Sequence, residues 1–416
     1  MKILHVNSWQ EGGAAWCAIR INKALVQQGV ESKMLFAQGQ KLPEGIDGDI
    51  AKMDVKSKMS SNPIFVKFRH LLMRFPWYIN VEKMQNKLDN ANTQHLYLHQ
   101  PLSNYSDIVN HPLFEWADII HLHWVADFID YPTFFKRIKK PIVWTLHDMY
   151  PAIGIVHFES DYTVLPSTLY EIDALCRRIK RKSVSQAKNL NLVAISDRMN
   201  TIIGSSDILK GFPVSRIYNG VDTSTYKPVE VDRKDYFQNI AKDTPVFMFS
   251  SYVINDKRKG IDRVIDALEK VKNERKINIA LIAVGMIDAI DTPTASFPIH
   301  YTGLIKNEFE SSRVYSVADY FINASYEEAF AQTPLEAMAC GTPVISTPCS
   351  GASDLIRPFN GIVCEEYDSS SLKDGIIKAL SMNFDSDKIR QYIIENFDYS
   401  IIAMEYIKLY NRILNQ

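Results

Sequence analysis

What most constrains this chain is an alternation, run twice, of short apolar stretches with stretches of helical periodicity. The first series opens with "KILHVNSW", a short apolar strand. "QEGGAAWCAIRINKALVQQGV" follows, in which Gly12 and Gly13 precede apolar residues at helical spacing and the pattern stops at Gly29. "ESKMLFA" reads as a second strand. Strand, glycine turn, helix, strand is the opening of a doubly wound parallel sheet. "ADIIHLHW", "PIVWTLHD" and "NLVAIS" continue it, each ending in polar residues, at the end where open α/β sheets keep their ligands. A second series starts near residue 244 with "TPVFMFSSYV", "NIALIAVG", "IHYTGL", "DYFINAS", "TPVIST" and "GIVC". Between the two lies "IYNGVDTSTYKPVEVDRKD", turn-rich and then charged, which reads as a linker. The expected architecture is α/β, with two Rossmann-like doubly wound domains, 1–225 and 226–395, facing across a cleft suited to a ligand with two ends.

At 416 residues the chain exceeds what one core usually supports, which agrees with two domains. A net charge of -1 argues against a nucleic-acid partner. The five cysteines are scattered with no C-x-x-C pair, so reduced thiols are expected rather than a disulfide framework or a zinc site. "MKILHVNSW" is too short an apolar start for a signal peptide. The longest apolar run, "INIALIAVGMI", suits a buried strand and not a membrane span. The expected location is the cytoplasm, at most attached to a membrane surface.

Residues 326–347, "YEEAFAQTPLEAMACGTPVIST", concentrate the chemistry. Thr333, Pro334 and Glu336 fit a capping box, with Thr333 at N-cap, Pro334 in the first turn and Glu336 reaching back. On that reading Glu336 serves only its own helix. The same helix start is also an anion site, because its amides are unpaired and its dipole points outward. Glu328 has no capping role; it is either a solvated loop residue or a ligand-binding one. Around a nucleotide diphosphate, the helix amides suit a phosphate, and each carboxylate suits a pair of vicinal hydroxyls.

This stretch resembles the E-x7-E motif of the retaining glycosyltransferases of family four, which have the GT-B fold. The resemblance extends along most of the chain. "GGAAWCAIRINKAL" is similar to that family's glycine loop, "HLHW" and "TLHDMYP" to its N-domain strand ends, and "IYNGVDTSTYKP" to its linker signature. "KGIDRVIDAL" resembles the segment with its phosphate lysine, while "YSVADYFINAS" and "SGASDLI…NGIVC" flank the motif as in relatives.

Carried over by position, the resemblance implies that Glu328 contacts donor-sugar hydroxyls and Glu336 the ribose. Phe330 and Ala331 would offer backbone to the distal phosphate, and Thr333 lies in the helix start that faces it. Lys259 matches the lysine that neutralises the leaving diphosphate, and His147 a strand-end histidine that reaches the sugar. Gly12 and Gly13 match the glycines that let donor and acceptor approach the backbone. The family's usual arginine after the first C-domain strand is missing; "SSYVIND" stands there, and Arg258 is the substitute, ahead of Lys257. Only Cys176 remains of a cysteine-rich segment found in some relatives, so no metal is expected there.

The implied reaction moves a hexosyl unit from a nucleotide-diphosphate sugar to a hydroxyl with retained configuration, in surface polysaccharide synthesis. No cofactor or metal is expected, since no D-x-D motif of the metal-dependent type appears. The acceptor would be a glycan or a lipid-linked glycan. Residues 64–88 place Phe65, Phe68, Leu72 and Phe75 on one helical stripe among Lys67, Arg69 and Arg74. This is either a peripheral contact with an anionic membrane or a helix packed on its own domain. The basic run at 176–182 is either a second such contact or an exposed helix face. The last helix, 396–416, carries Ile401, Met404, Ile407, Leu409 and Ile413 near helical spacing; GT-B relatives return it to the N-terminal domain. Competing readings are an epimerase or phosphorylase of the same fold, and a non-catalytic sugar-nucleotide-binding protein.

Overall fold

The computed structural model of the protein describes all residues except 38, 40, 53–80, 92, 94, 95 and 288–291. The stripe at 65–75 therefore lies outside the described residues; the end of that segment falls in the helix Val81–Asp89, which buries Met84 and Leu88.

Thirteen strands among the described residues form two sheets. β1 (Lys2–Asn7), β2 (Glu31–Phe36), β3 (Gly48–Ile50), β4 (Ile119–Leu122), β5 (Ile142–Leu146), β6 (Leu190–Ala194) and β7 (Val214–Arg216) run in the order β3-β2-β1-β4-β5-β6-β7. β8 (Val246–Val253), β9 (Ala280–Met286), β10 (Ile299–Gly303), β11 (Tyr320–Asn323), β12 (Val344–Ser346) and β13 (Gly361–Val363) run in the order β10-β9-β8-β11-β12-β13. Every strand pairing is parallel. In each sheet the chain winds outward from its first strand and then reverses, which leaves β1 beside β4 and β8 beside β11. Such reversals are where doubly wound sheets open a crevice beyond the strand C-termini.

Continuous burial explains the strands. β4 and β5 are buried at every residue, as expected for parallel strands covered on both faces. Their polar members satisfy each other, with His121 Nε2 2.8 Å from Thr145 Oγ1. The helix Gly13–Gln27 starts from Gly12 at φ +95°, a left-handed conformation that favours glycine. In the second sheet, Phe247 and Phe249 of β8 and Leu281 and Ala283 of β9 pack on Val264, Leu268 and Val271 of the helix Ile261–Arg275. Each such large side chain, fully buried, stabilises by roughly 1.5–3 kcal/mol.

Two compact units result: Met1–Ile217 with Ala403–Gln416, and Tyr218–Ile402. The tail helix Tyr399–Leu414 thus ends within the first unit, where Tyr406 Oη lies 2.9 Å from Thr145 Oγ1 and Tyr410 Oη 2.6 Å from His121 Nδ1. Its buried residues there are Ala403, Tyr406, Leu409, Tyr410 and Ile413. Met404, assigned to the packing stripe from its apolarity, is 41% exposed, because it sits off the 403–406–410–413 face. The basic run at 176–182 is not uniformly a solvent face: Cys176 and Lys180 point inward, and the Lys180 amine meets the carbonyl oxygens of Tyr150, Ile153 and Gly154. All five cysteines are buried thiols outside any disulfide. No described helix is long and apolar enough to cross a membrane.

Candidate functional site

In the second unit the site starts from a turn beyond β8. Asp256 holds it: its carbonyl oxygen accepts from the backbone N–H of Lys259 at 2.9 Å, and its Oδ1 from the N–H of Arg258 at 2.9 Å. Gly260, at φ +80°, then turns the chain into the helix Ile261–Arg275. A Cβ there would also lie 2.1 Å from the Arg263 guanidinium. This puts Arg258 and Lys259 side by side at the strand end.

The partner loop follows β11. The backbone N–H of Tyr326 donates to the Arg258 carbonyl at 2.9 Å, and Arg258 Nη1 donates to the Glu327 carbonyl at 3.0 Å. Glu328, 8% exposed, receives the Lys259 ammonium on Oε1 together with the Ser325 hydroxyl at 2.7 Å, and its Oε2 lies 3.6 Å from Arg258 Nη1. Burial by itself opposes ionisation of Glu328, but Lys259 and Arg258 outweigh it and hold the carboxyl below its ordinary range. The structure therefore brings Arg258, Lys259 and Glu328 into one cluster.

The following helix begins earlier than its sequence suggests. It spans Gln332–Ala339 with Ala331 as N-cap and no side-chain cap. The expected capping box is therefore absent: Thr333 lies within the first turn, and Glu336 is too far into the helix to reach back to the cap. Gln332 anchors the start instead, its Nε2 donating to the Gly220 carbonyl at 2.9 Å. Glu336 is 8% exposed, and its Oε2 accepts from Tyr315 Oη at 3.1 Å. Phe330 and Ala331 are buried at the loop–helix junction. Gly351 passes over them at φ +90°, where a Cβ would lie 3.0 Å from Phe330 Cα, so only glycine fits without displacement.

In the first unit, Gly12 and Gly13 stand at the start of their helix, and a Cβ added at either would meet nothing within 4 Å. His147 follows β5, and its Nε2 lies 3.0 Å from His123 Nδ1. Burial lowers its pKa to about 4, so it is neutral at ordinary pH. Nitrogens of His5, His121 and His123 lie within 4.8 Å of one another, which is metal-ligand spacing. Those of His121 already meet Tyr410 and Thr145, and His5 and His123 meet each other at 2.8 Å.

A second relay escaped the sequence reading. Asp148 Oδ2 lies 2.6 Å from His157 Nδ1, His157 Nε2 lies 2.6 Å from His99 Nδ1, and His99 Nε2 lies 3.4 Å from Asp127 Oδ2. Trp124 Nε1 donates to Asp148 at 2.7 Å. Asp127 adopts φ +59°, uncommon for a non-glycine residue, and burial raises its pKa to about 6. The "HD" after β5 was the available signal for Asp148; His99 and His157 come from loops with no motif. Ser325 and Tyr315 were likewise missed, although both stand inside or beside the quoted motif segments.

Residues 232–397 match the family described as glycosyl transferases group 1. An uncharacterized glycosyltransferase of Methanocaldococcus jannaschii is 27% identical over 240 residues, 54% of this chain and 59% of that protein. A lipopolysaccharide 1,2-N-acetylglucosaminetransferase of Salmonella typhimurium is 26% identical over 309 residues, 64% of this chain and 76% of its own. Three further curated relatives are spanned over only 53–55% of their length. Among solved structures, Anabaena HepE in complex with UDP-glucose superposes with a TM-score of 0.60 at 18% identity, covering 99% of this chain and 100% of that one. The chain therefore has the GT-B fold, and its residues 232–397 are similar to the glycosyl transferases of group 1.

Proposed function

We propose that this protein is a retaining glycosyltransferase that moves a hexosyl unit from a nucleotide-diphosphate sugar to a hydroxyl of a glycan or lipid-linked acceptor. The observation that carries the reading is the Arg258–Lys259–Glu328 cluster at the strand reversal of the second unit. Two cations and one buried carboxylate are what a sugar diphosphate needs: positive charge for the diphosphate, an acceptor for sugar hydroxyls. In this reading Lys259 and Arg258 turn from Glu328 towards the diphosphate, and Glu328 takes sugar hydroxyls. Glu336 takes the ribose hydroxyls, and the amides at Phe330, Ala331 and the helix start around Thr333 meet the distal phosphate. His147 is assigned to the sugar, and Gly12 and Gly13 to close approach of substrate to backbone.

The bond between the anomeric carbon and the diphosphate oxygen breaks, and a bond from the acceptor oxygen forms on the same face. The acceptor proton leaves with the departing phosphate oxygen. Lys259 and Arg258 stabilise the charge that develops on that oxygen. The reading assigns no metal. The Salmonella relative, named for lipopolysaccharide, supports a place in surface-polysaccharide synthesis, and the HepE complex makes UDP-glucose the first donor to try.

A thermal-shift and hydrolysis screen over UDP-, GDP- and ADP-sugars tests this. One nucleotide sugar should raise Tm and be hydrolysed slowly to free sugar and nucleoside diphosphate. Stabilisation without hydrolysis or transfer would favour a binding protein, and conversion to an isomeric nucleotide sugar would favour an epimerase. No response to any nucleotide sugar would overturn the reading.

A further inference from the structure

His147 is the outer end of a chain of three imidazoles. Its Nε2 faces Nδ1 of His123 at 3.0 Å, and Nε2 of His123 faces Nδ1 of His5 at 2.8 Å. The rings are near-parallel, at 24° and 21° to one another. The chain ends at Nε2 of His5, which is buried and has no hydrogen-bond partner among the described residues. His121 packs against His5 and His123, but its own nitrogens meet the hydroxyls of Tyr410 and Thr145. A hydroxyl can donate or accept, so those contacts impose no direction.

A neutral imidazole carries one N–H and one lone pair. Burial keeps these rings neutral, with His5 near 3, His147 near 4 and His123 well below its ordinary value. Two directions then exist. If every Nε2 carries the proton, the donors point inward and the last, on His5, is a buried N–H with nothing to receive it. If every Nδ1 carries the proton, His5 donates to His123 and His123 donates to His147. The only orphan is then a lone pair on His5, and His147 presents Nδ1–H. An orphaned buried donor is the rarer and more costly of the two defects.

We infer that His5 and His123 are positioning residues that lock His147 in its Nδ1–H form, so that it meets its ligand as a hydrogen-bond donor and not as a base. Free histidine favours Nε2–H, so the chain reverses the default. His147 keeps partial exposure, and its Nδ1 is not among the buried unpaired atoms. The matching ligand atom is an oxygen, such as a hydroxyl or leaving-group oxygen of the donor sugar. That identification rests on the glycosyltransferase reading above; the tautomer does not.

The full chain, labelled with ¹⁵N-histidine, gives the answer in long-range ¹H–¹⁵N correlation spectra near neutral pH, with His147 identified by the signals lost in His147→Gln. The expected pattern is a protonated Nδ1 and an unprotonated Nε2 on His147; the reverse pattern overturns the inference. His123→Leu removes the donor to His147 Nε2 and should return His147 to the Nε2–H form. Hydrolysis of UDP-glucose should then fall roughly 10–100-fold, the loss typical when the partner that fixes a metal-ligating histidine's tautomer is removed, with UDP affinity unchanged. A folded His123→Leu protein that keeps His147 in the Nδ1–H form also overturns it. If the unaltered chain hydrolyses no nucleotide sugar, the donor reading fails while the spectra still decide the tautomer.

Discussion

At the strand reversal of the first sheet, β1 and β4 carry His5 and His121, with His123 just beyond; at the same point of the second sheet stand Arg258, Lys259 and Glu328. Both sets are largely buried, yet burial has opposite outcomes. The imidazoles lose their charge because, among the described residues, no carboxylate lies with them to oppose the desolvation. Glu328 keeps its charge because two cations are within reach. A neutral cluster can offer only direction, meaning which atom donates and which accepts. A charged one can offer redistribution, because cations held by a carboxylate can be shared with an incoming diphosphate. The contrast runs through the composition: nine of the ten histidines, all but His300, and all six tryptophans precede Tyr218.

The largest effect should come from deleting residues 403–416. Tyr406, Leu409, Tyr410 and Ile413 leave the first unit, each worth roughly 1.5–3 kcal/mol, and the total approaches the whole stability of a domain, about 5–15 kcal/mol. Tryptophan fluorescence, which reports on the first unit alone, should show it unfolded while the second unit still binds nucleotide. A truncated protein with native fluorescence and full activity would break the comparison.

Acid should separate the units next. His5, His99 and His147 have folded values near 3, 3 and 4 against an ordinary 6.5. Their neutral forms therefore favour the folded state fully above about 6.5, and that contribution is lost as pH falls from there towards 4. Asp127, raised to about 6, works in the opposite sense and destabilises as pH rises through that value. Glu328 is depressed, so its contribution lasts until pH falls below the ordinary glutamate range near 4.5. Between about pH 6 and 4.5, urea midpoints by tryptophan fluorescence should fall, while hydrogen-exchange protection factors in β8 and β11, corrected for the intrinsic rate at each pH, stay unchanged. Parallel loss in both units would contradict the contrast.

The smallest effect on stability is expected from Glu336→Gln. Because Glu336 is not a cap, and a glutamine can still accept from Tyr315, denaturant unfolding should change by no more than about 0.5–1.5 kcal/mol. Nucleotide affinity by calorimetry should nevertheless fall clearly, and less in Glu336→Asp. Normal affinity in Glu336→Gln would remove the ribose role.

Strand series, glycine turns and the E-x7-E segment are local patterns, and they were legible without the fold. The helix start at Gln332 was not: Thr-Pro-x-Glu imitates a capping box, and only the bond from Gln332 to Gly220, 112 residues away in sequence, moves the start forward. Lys180 looked like one more charge in "RRIKRK" because the carbonyls that receive it come from a loop some 26–30 residues earlier. The histidine chain was hidden for the same reason. "HLHW" and "TLHD" each show their residues, but the parallel register that stacks β1 on β4 is what joins them. Direction along that chain depends on an absence, the missing partner of His5 Nε2, which no sequence pattern displays.

The central claim is that the second unit's charge cluster handles the leaving diphosphate, and two neighbouring lysines test it most directly. Lys259 is 22% exposed and bound to Glu328, whereas Lys257 is 84% exposed and pairs with Asp262. The measurement is kcat for the nucleotide sugar selected by the screen, in Lys259→Ala and Lys257→Ala. Lys259→Ala should lose about 10²–10³-fold, the usual consequence of removing one preorganised stabilising group, with Lys257→Ala close to the unaltered protein. Equal, mild losses in the two variants would contradict the account.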